Sequence, residues 1–385
     1  MSTSIITFAN LGEKKNNRTA GTVPVIDKFA KENDLIQVIC QINKNYWFKN
    51  TVSATPTVIR WCIRIVEELT RIPLRGVHLK ALDFFAQFKL KKADLYIFHT
   101  GESMSRTIKA ARKKGGISIS LATISDPVKN KEIEEEEMKL LGIEGFETES
   151  EDAVRRCPDY NKFDYVIAYS EFVRDTYIEK GYPADHIFTA YSDTPLPAKV
   201  ERDWNGTFKL VYVAYTSPRK GLHYLLDAWK ELNLPDAELL LVGKYNRTPE
   251  ELKERYDAII ESDPSITWVG RVKDPTPYFH ESTAFVLPSL IEGNPYAVME
   301  AMGHGLPAIV TPPAQSLVED GKSGYVVPIR DVEALKEKIL YLYNNRDVAK
   351  AMGEEGRKTM ENKQEYGEVV YEICQDILKR EGRIQ

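Results

Sequence analysis

The sequence predicts an α/β protein built from two doubly wound, Rossmann-like domains, and three observations predict it. At 385 residues the chain exceeds what one ordinary hydrophobic core organises and fits two domains of common size. Short apolar runs rich in Val, Ile, Leu and Tyr recur between longer helix-like segments, the pattern of parallel strands buried on both faces by helices. The alternation also occurs as two successive series, which implies two sheets rather than one.

In the first series strands are expected near Ser4–Asn10, Leu35–Ile42, Asp94–His99, Ile117–Ile124, Tyr165–Ser170 and Ile187–Tyr191. In the second they are expected near Lys209–Tyr215, Glu238–Gly243, Ile266–Gly270, Ala284–Ser289, Ala308–Thr311 and Tyr325–Pro328. Between the series lies Ser192–Gly206, whose two prolines and closing Asn-Gly suit a connection better than an element. These signals divide the chain into a first domain (1–195), a second domain (196–363) and a final helix (364–385) long enough to cross back onto the first domain.

Two segments depart from the alternation. Glu132-Ile-Glu-Glu-Glu-Glu137 opens an acidic stretch reaching Asp152, which reads as a solvated insertion. Lys49 through Lys92 holds nine Lys or Arg against three acids, with Arg60, Arg64, Arg71 and Arg75 beside Trp61, Ile65, Leu69 and Ile72. That spacing gives a helix one basic and one apolar face. It suits either a surface helix packed on its own sheet or a dock on an anionic membrane surface.

Charged residues at 28%, hydrophobic ones at 43% and a net charge of -5 describe a globular protein and argue against nucleic acid as a global partner. Cys40, Cys62, Cys157 and Cys374 are scattered and read as reduced core residues, with no zinc or redox spacing. No run approaches the roughly 20 apolar residues of a membrane span, and the start does not read as a signal peptide. A cytoplasmic location is expected, with the inner face of the membrane as a candidate surface.

The segment Ala284 to Thr311 carries the chemistry. An apolar strand ends in Pro288-Ser289, a loop carries Glu292-Gly293, and a helix is expected from about Pro295 to His304, stopped by Gly305-Leu-Pro307. The backbone amides of Tyr296 and Ala297 would point out of the helix start, where donors and dipole favour phosphate. Glu292 and Glu300 stand eight residues apart, about 12 Å if helical throughout, comparable with the span from a sugar across a diphosphate to a ribose. Carboxylates accept strong hydrogen bonds from paired hydroxyls, so Glu300 suits ribose and Glu292 the sugar. Either acid taken alone suits a plain structural place better, Glu300 in an ion pair of the helix layer and Glu292 on an exposed loop.

The run Pro288-Ser-Leu-Ile-Glu-Gly-Asn-Pro-Tyr-Ala-Val-Met-Glu-Ala-Met-Gly-His-Gly-Leu-Pro307 resembles the signature of retaining family 4 glycosyltransferases. The likeness extends through Val318–Pro328, Trp268–Val272 and Leu241–Gly243, covering essentially the whole second domain. It implies a GT-B fold, two Rossmann-like domains facing across a cleft. Ser217-Pro-Arg-Lys-Gly-Leu-His-Tyr-Leu-Leu-Asp-Ala228 resembles the family's loop with a Lys-Gly pair, which assigns Lys220 to the donor diphosphate. A fixed cation there stabilises the leaving group without a metal. The family's arginine five residues earlier is Tyr215 here, leaving the adjacent Arg219 either to supply the second cation or to face solvent.

The first domain resembles the family more weakly. Ala20-Gly21-Thr22, after a loop with Lys14, Lys15 and Arg18, occupies the place of a glycine-rich loop, so Gly21 is a donor-site candidate as well as a plain helix cap. Asp94-Leu-Tyr-Ile-Phe-His99 resembles the strand ending in a histidine at the cleft, which makes His99 a catalytic candidate beside a core role. The family's second histidine is absent from Ala122-Thr-Ile-Ser-Asp126, and no role for Ser125 or Asp126 is fixed. Tyr169-Ser-Glu-Phe-Val173 and Glu179-Lys-Gly-Tyr-Pro183 resemble the family's late first-domain pattern, with Tyr191-Ser192-Asp193 in place of the Gly-Val-Asp that commonly follows. The histidines at 78, 186, 223, 280 and 304 show no metal spacing and read as structural.

The resemblance implies transfer of a sugar from a nucleoside diphosphate sugar to an acceptor hydroxyl with retention, the acceptor being a glycan, a lipid or a lipid-linked glycan. No cofactor or metal is expected. Lys220, Glu292 and His99 are the catalytic candidates; Glu300, Asn294, Tyr296, Ala297, Arg219 and Gly21 are the donor-binding ones. An epimerase or phosphorylase of the same fold, or a non-catalytic sugar-nucleotide binding protein, are the alternatives.

Overall fold

The computed structural model describes residues 1–8, 10–11, 21–44, 46–71, 74–99, 104–148, 154 and 162–385. Lys14, Lys15, Arg18, Ala20, Ile72, Cys157 and the end of the acidic stretch at 149–152 lie outside the described residues. The chain divides into two compact units, the first comprising Met1–Ile124, Ala153–Asp193 and Gln364–Gln385, the second Ser125–Asp152 and Thr194–Lys363.

The first unit holds a seven-stranded parallel sheet in the order Thr51–Ser53, Leu35–Cys40, Thr3–Thr7, Leu95–His99, Ile117–Ala122, Tyr165–Ala168, Ile187–Thr189. Numbered along the chain this is 3-2-1-4-5-6-7. The second unit holds six parallel strands, Ile266–Gly270, Ala237–Val242, Phe208–Val213, Ala284–Leu287, Ala308–Val310 and Gly324–Val326, the order 3-2-1-4-5-6. Both are doubly wound sheets whose order reverses between first and fourth strands, the place where such sheets bind ligands. The strands are the apolar runs themselves, buried on both faces: Leu95 to Phe98 and Ala284 to Leu287 are wholly enclosed.

The final helix, Tyr366–Arg380, packs against Thr22–Lys31 in the first unit. Tyr366, Val370, Cys374, Ile377 and Leu378 enter that unit's core. Lys28 pairs with Glu368, the Phe29 and Tyr371 rings meet edge to face at 5.0 Å, and the Tyr366 N–H donates to Asp193 Oδ1 at 2.9 Å.

Three expectations are corrected. The acidic stretch is a helix, Pro127–Leu140, that belongs to the second unit, not to the first domain, and is not a solvated insertion. It buries Asn130, Glu134 and Glu137 on one face, where hydrogen bonds and an arginine replace lost hydration. Asp126 caps it by accepting from the Val128 and Lys129 amides at 2.9 Å, and Ser125 bonds Asn130, so both act locally in the backbone. The helix Thr57–Thr70 in the basic segment does not press its apolar face on its own sheet. Only Ile63 is buried, while Val58, Trp61 and Leu69 are 69%, 64% and 80% exposed. Cys62 lies on that outward side and is exposed, unlike Cys40 and Cys374, which are core residues.

Candidate functional site

In the second unit the chain leaves the first strand, makes a single 3-10 turn at Pro218–Lys220, passes Gly221 and enters the helix Leu222–Leu232. Gly221 has φ +67, and a Cβ there would sit 2.1 Å from the Pro288 carbonyl oxygen. Only glycine allows this left-handed bend with the backbone so close, and it brings the lysine turn against the loop after the fourth strand. The Leu290 N–H donates to the Arg219 carbonyl at 2.7 Å, and Arg219 Nη1 donates to the Ile291 carbonyl at 3.0 Å. Arg219 is therefore turned into the loop pair, which corrects the solvent-facing alternative.

Lys220 Nζ pairs with Glu292 Oε1, the same oxygen accepts from Ser289 Oγ at 2.8 Å, and Arg219 Nη1 stands 3.9 Å from Oε2. Glu292 is buried, which corrects the exposed-loop alternative. Burial pushes its carboxyl up, but the two cations and the Lys220 and Ser289 hydrogen bonds outweigh that and hold it below the ordinary carboxylate value. Among the described residues the buried Tyr212 hydroxyl has no hydrogen-bond partner, and burial, with Glu292 nearby and Arg219 opposing, pushes its phenol up.

The helix that follows spans Tyr296–Gly303, with Pro295 as its cap. Its Val298 N–H donates to the Pro295 carbonyl at 3.1 Å, so the Tyr296 and Ala297 amides precede the first bond of the helix. Asn294 is buried; its Oδ1 accepts from Ser316 Oγ at 2.5 Å, and its Nδ2 lies 3.6 Å from Met299 Sδ. Glu300 is half-buried one turn along the helix from Tyr296. Tyr215 is 50% exposed, with Lys244 Nζ 6.0 Å from its ring centre.

The first unit has its own cluster at the corresponding reversal. Thr7 and His99 are register partners at the ends of adjacent strands. The His99 Nδ1 is bonded to Thr22 Oγ1, and Nε2 lies 3.3 Å from the Tyr169 hydroxyl. Gly21 has φ +80, and a Cβ on it would collide with that hydroxyl at 1.6 Å. Burial depresses the imidazole to about 4, which keeps it neutral.

The expected residues thus fall into two groups. Lys220, Arg219 and Glu292 are in one cluster continuing into Asn294, Tyr296, Ala297 and Glu300, while Gly21 and His99 converge in the first unit. Lys220, expected at the donor diphosphate, and Glu292, expected at the sugar, touch each other. Sequence reasoning missed Ser289, Ser316, Tyr212 and Thr22. It also missed Glu137, which His223, Tyr224 and Arg330 surround. Nothing local marks Ser316, whose importance comes from meeting Asn294 from 22 residues away, whereas Ser289 stands three residues before the Glu292 it serves, in the same loop. Among the described residues no cluster of three His, Cys, Asp or Glu side chains is placed to hold a metal ion.

Residues 207–345 match the model of the family described as "Glycosyl transferases group 1". Among curated proteins, an uncharacterized glycosyltransferase of Haemophilus influenzae is 30% identical over 222 residues, 56% of this chain and 61% of that protein. The capsular polysaccharide biosynthesis glycosyltransferase CapM of Staphylococcus aureus is 28% identical over 172 residues, 44% of this chain and 45% of CapM. The chain thus spans less than two thirds of these relatives' length. Among solved structures, Alr3699/HepE of Anabaena in complex with UDP and glucose superposes over 98% of this chain and 100% of that chain, with a TM-score of 0.64 and 13% identity. The chain has the GT-B glycosyltransferase fold of two Rossmann-like units, and its 207–345 segment matches the group 1 glycosyl transferases.

Proposed function

We propose that this chain is a glycosyltransferase that moves a hexose from a nucleoside diphosphate sugar to an acceptor hydroxyl with retention of anomeric configuration. The observation that carries the reading is the buried Lys220–Glu292–Ser289 cluster at the reversal of the second sheet, immediately before a helix start. Cation and helix amides suit a diphosphate whose negative charge grows as the sugar departs. Glu292, held ionised, is an acceptor for sugar hydroxyls, with Asn294 fixed beside it by Ser316. Glu300, further along the helix, suits ribose. Neutral His99, whose ring nitrogens meet Thr22 and Tyr169, would reach an acceptor hydroxyl only by exchanging its longer contact to Tyr169 for it. Lys220 and the amides supply the positive charge, so no metal step is invoked. The UDP and glucose held by the Anabaena structure agree in chemical class with such a donor.

The acceptor is proposed to be a glycan or lipid-linked glycan at an anionic membrane surface. The outward apolar side of Thr57–Thr70 within a basic segment supports this. Among the described residues no helix is long and apolar enough to cross a membrane.

Release of nucleoside diphosphate from UDP-, GDP- and ADP-linked hexoses tests the reading. One donor is expected to be turned over, and Lys220→Ala and Glu292→Ala to lose about 100-fold or more in kcat. Wild-type rates in both variants would refute the mechanism. Binding of a donor with no release under any acceptor would favour the non-catalytic alternative.

A further inference from the structure

We infer that Glu137, on the helix Pro127–Leu140, is a positioning residue for the Lys220 turn. The inference rests on the reading of Lys220 as the diphosphate's partner and adds a residue that the mechanism above does not use.

Glu137 is completely buried, and its whole carboxylate is engaged. Oε1 accepts from His223 Nε2 at 2.7 Å and from the Tyr224 hydroxyl at 2.8 Å; Oε2 accepts from Arg330 Nε at 2.7 Å. Burial pushes the carboxyl up, yet the His223 and Arg330 hydrogen bonds pull it below its ordinary value, so the group is an anion. His223 lies 3.1 Å from the Tyr256 hydroxyl through Nδ1. Burial raises that phenol well above its usual range, so it keeps its proton for Nδ1 and leaves Nε2–H for Glu137. Arg330 holds φ +63, unusual for a side-chain-bearing residue, with its guanidinium fixed by Glu137, Glu136 and the Ile133 carbonyl.

His223 and Tyr224 belong to the first turn of the helix Leu222–Leu232, three and four residues after Lys220. The helix bearing Glu137 also packs directly on the turn Pro218–Lys220. A buried anion with two bonds to the start of one helix and one to Arg330 fixes that start in place. Gly221 alone separates it from the lysine. Glu137 therefore sets where the Lys220 ammonium stands without touching a substrate. A carboxylate is needed because a neutral acceptor would leave Arg330 only the outer Glu136 as counter-charge and would remove the anion on which His223, Tyr224 and Arg330 converge.

The test measures how full-length wild type, Glu137→Gln and Lys220→Ala bind UDP, GDP and ADP and the matching nucleosides by calorimetry. Glu137→Gln is expected to weaken the preferred diphosphate about tenfold while nucleoside affinity stays within about twofold, because only the phosphate contact is displaced. A merely structural role would weaken both alike or neither, and either result overturns the inference. Should Glu137→Gln not fold, Tyr224→Phe removes a single bond to the same carboxylate and is expected to shift the ratio by about threefold in the same direction; an unchanged ratio overturns the inference. If Lys220→Ala loses the diphosphate and the Glu137 and Tyr224 variants do not, this inference alone falls. If wild type binds none of the three, or Lys220→Ala binds as wild type, the donor reading falls and takes the inference with it.

Discussion

His99 shows how one side chain ties the first unit's stability to pH. Its two ring nitrogens meet Thr22 and Tyr169 in a half-buried place, and loss of hydration there brings the imidazole to about 4 from an ordinary 6.5. As pH falls, the unfolded chain takes up this proton near 6.5 and the folded one only near 4. The unfolded state therefore binds more protons across that window, so stability is lost as pH drops through it and the loss is complete below it. His99→Gln should flatten this part of the profile. Urea midpoints at about pH 7.5 and about pH 5 should differ less in the variant than in wild type; an equal difference would assign the pH dependence elsewhere. At this scale the sequence was most informative where a compact motif carried the group. Glu292 and Lys220 were legible because each sits in its own strand–loop–helix signature. That they touch, sharing a buried site with Ser289, was not legible, because 72 residues separate them. Glu137 was hidden for a different reason: within a run of four glutamates nothing local distinguishes the one that Arg330, 193 positions later, neutralises.

At the scale of elements, the apolar runs gave the strands nearly residue for residue, and the ends moved for local reasons. The strand expected to reach Ser289 stops at Leu287 because Pro288 has no N–H to give a neighbour. The edge strand Thr51–Ser53 carries no signal because three residues, one buried and two half-covered, are too few to show alternation. Helix periodicity was equally plain in Thr57–Thr70, yet periodicity says only that an apolar side exists. Which way it points depends on the neighbours. Arg60 donates to the Gln41 and Thr55 carbonyls and Glu67 accepts from the Leu74 amide, so polar groups anchor the helix and Val58, Trp61 and Leu69 turn outward. If this side enters a lipid interface, the combined Trp61→Ser and Leu69→Ser variant should sediment with anionic vesicles about tenfold or more less strongly than wild type, from the transfer free energy of two large side chains. Raised salt should weaken wild-type binding as well. Equal sedimentation of variant and wild type would rule this side out as the membrane contact.

At the scale of the whole molecule, neither unit is continuous in sequence. The first takes its last helix from the chain's end, and the second takes Pro127–Leu140 from between two strands of the first sheet. Cooperative folding of each unit therefore needs segments that a simple cut at the inter-domain connection would separate. The final helix supplies the sharper case. It contributes Val370, Ile377 and Leu378 to the first core along with Tyr366 and Cys374, all completely buried. Burial of a large aliphatic side chain is worth about 1.5–3 kcal/mol, so these five together approach about 10 kcal/mol, comparable with the whole stability of a typical domain. Ending the chain at Lys363 also takes Tyr371 from the ring of Phe29 on the facing helix. The truncated protein should lose the fold of the first unit while the second, which keeps all its segments, stays folded. Limited proteolysis followed by mass measurement should return protected fragments that carry the helix Pro127–Leu140 or lie within 194–363, and none from the first sheet. Protection of Thr3–Thr7 and Leu95–His99 in the truncated chain equal to that in the full one would show that the last helix is dispensable to the first core.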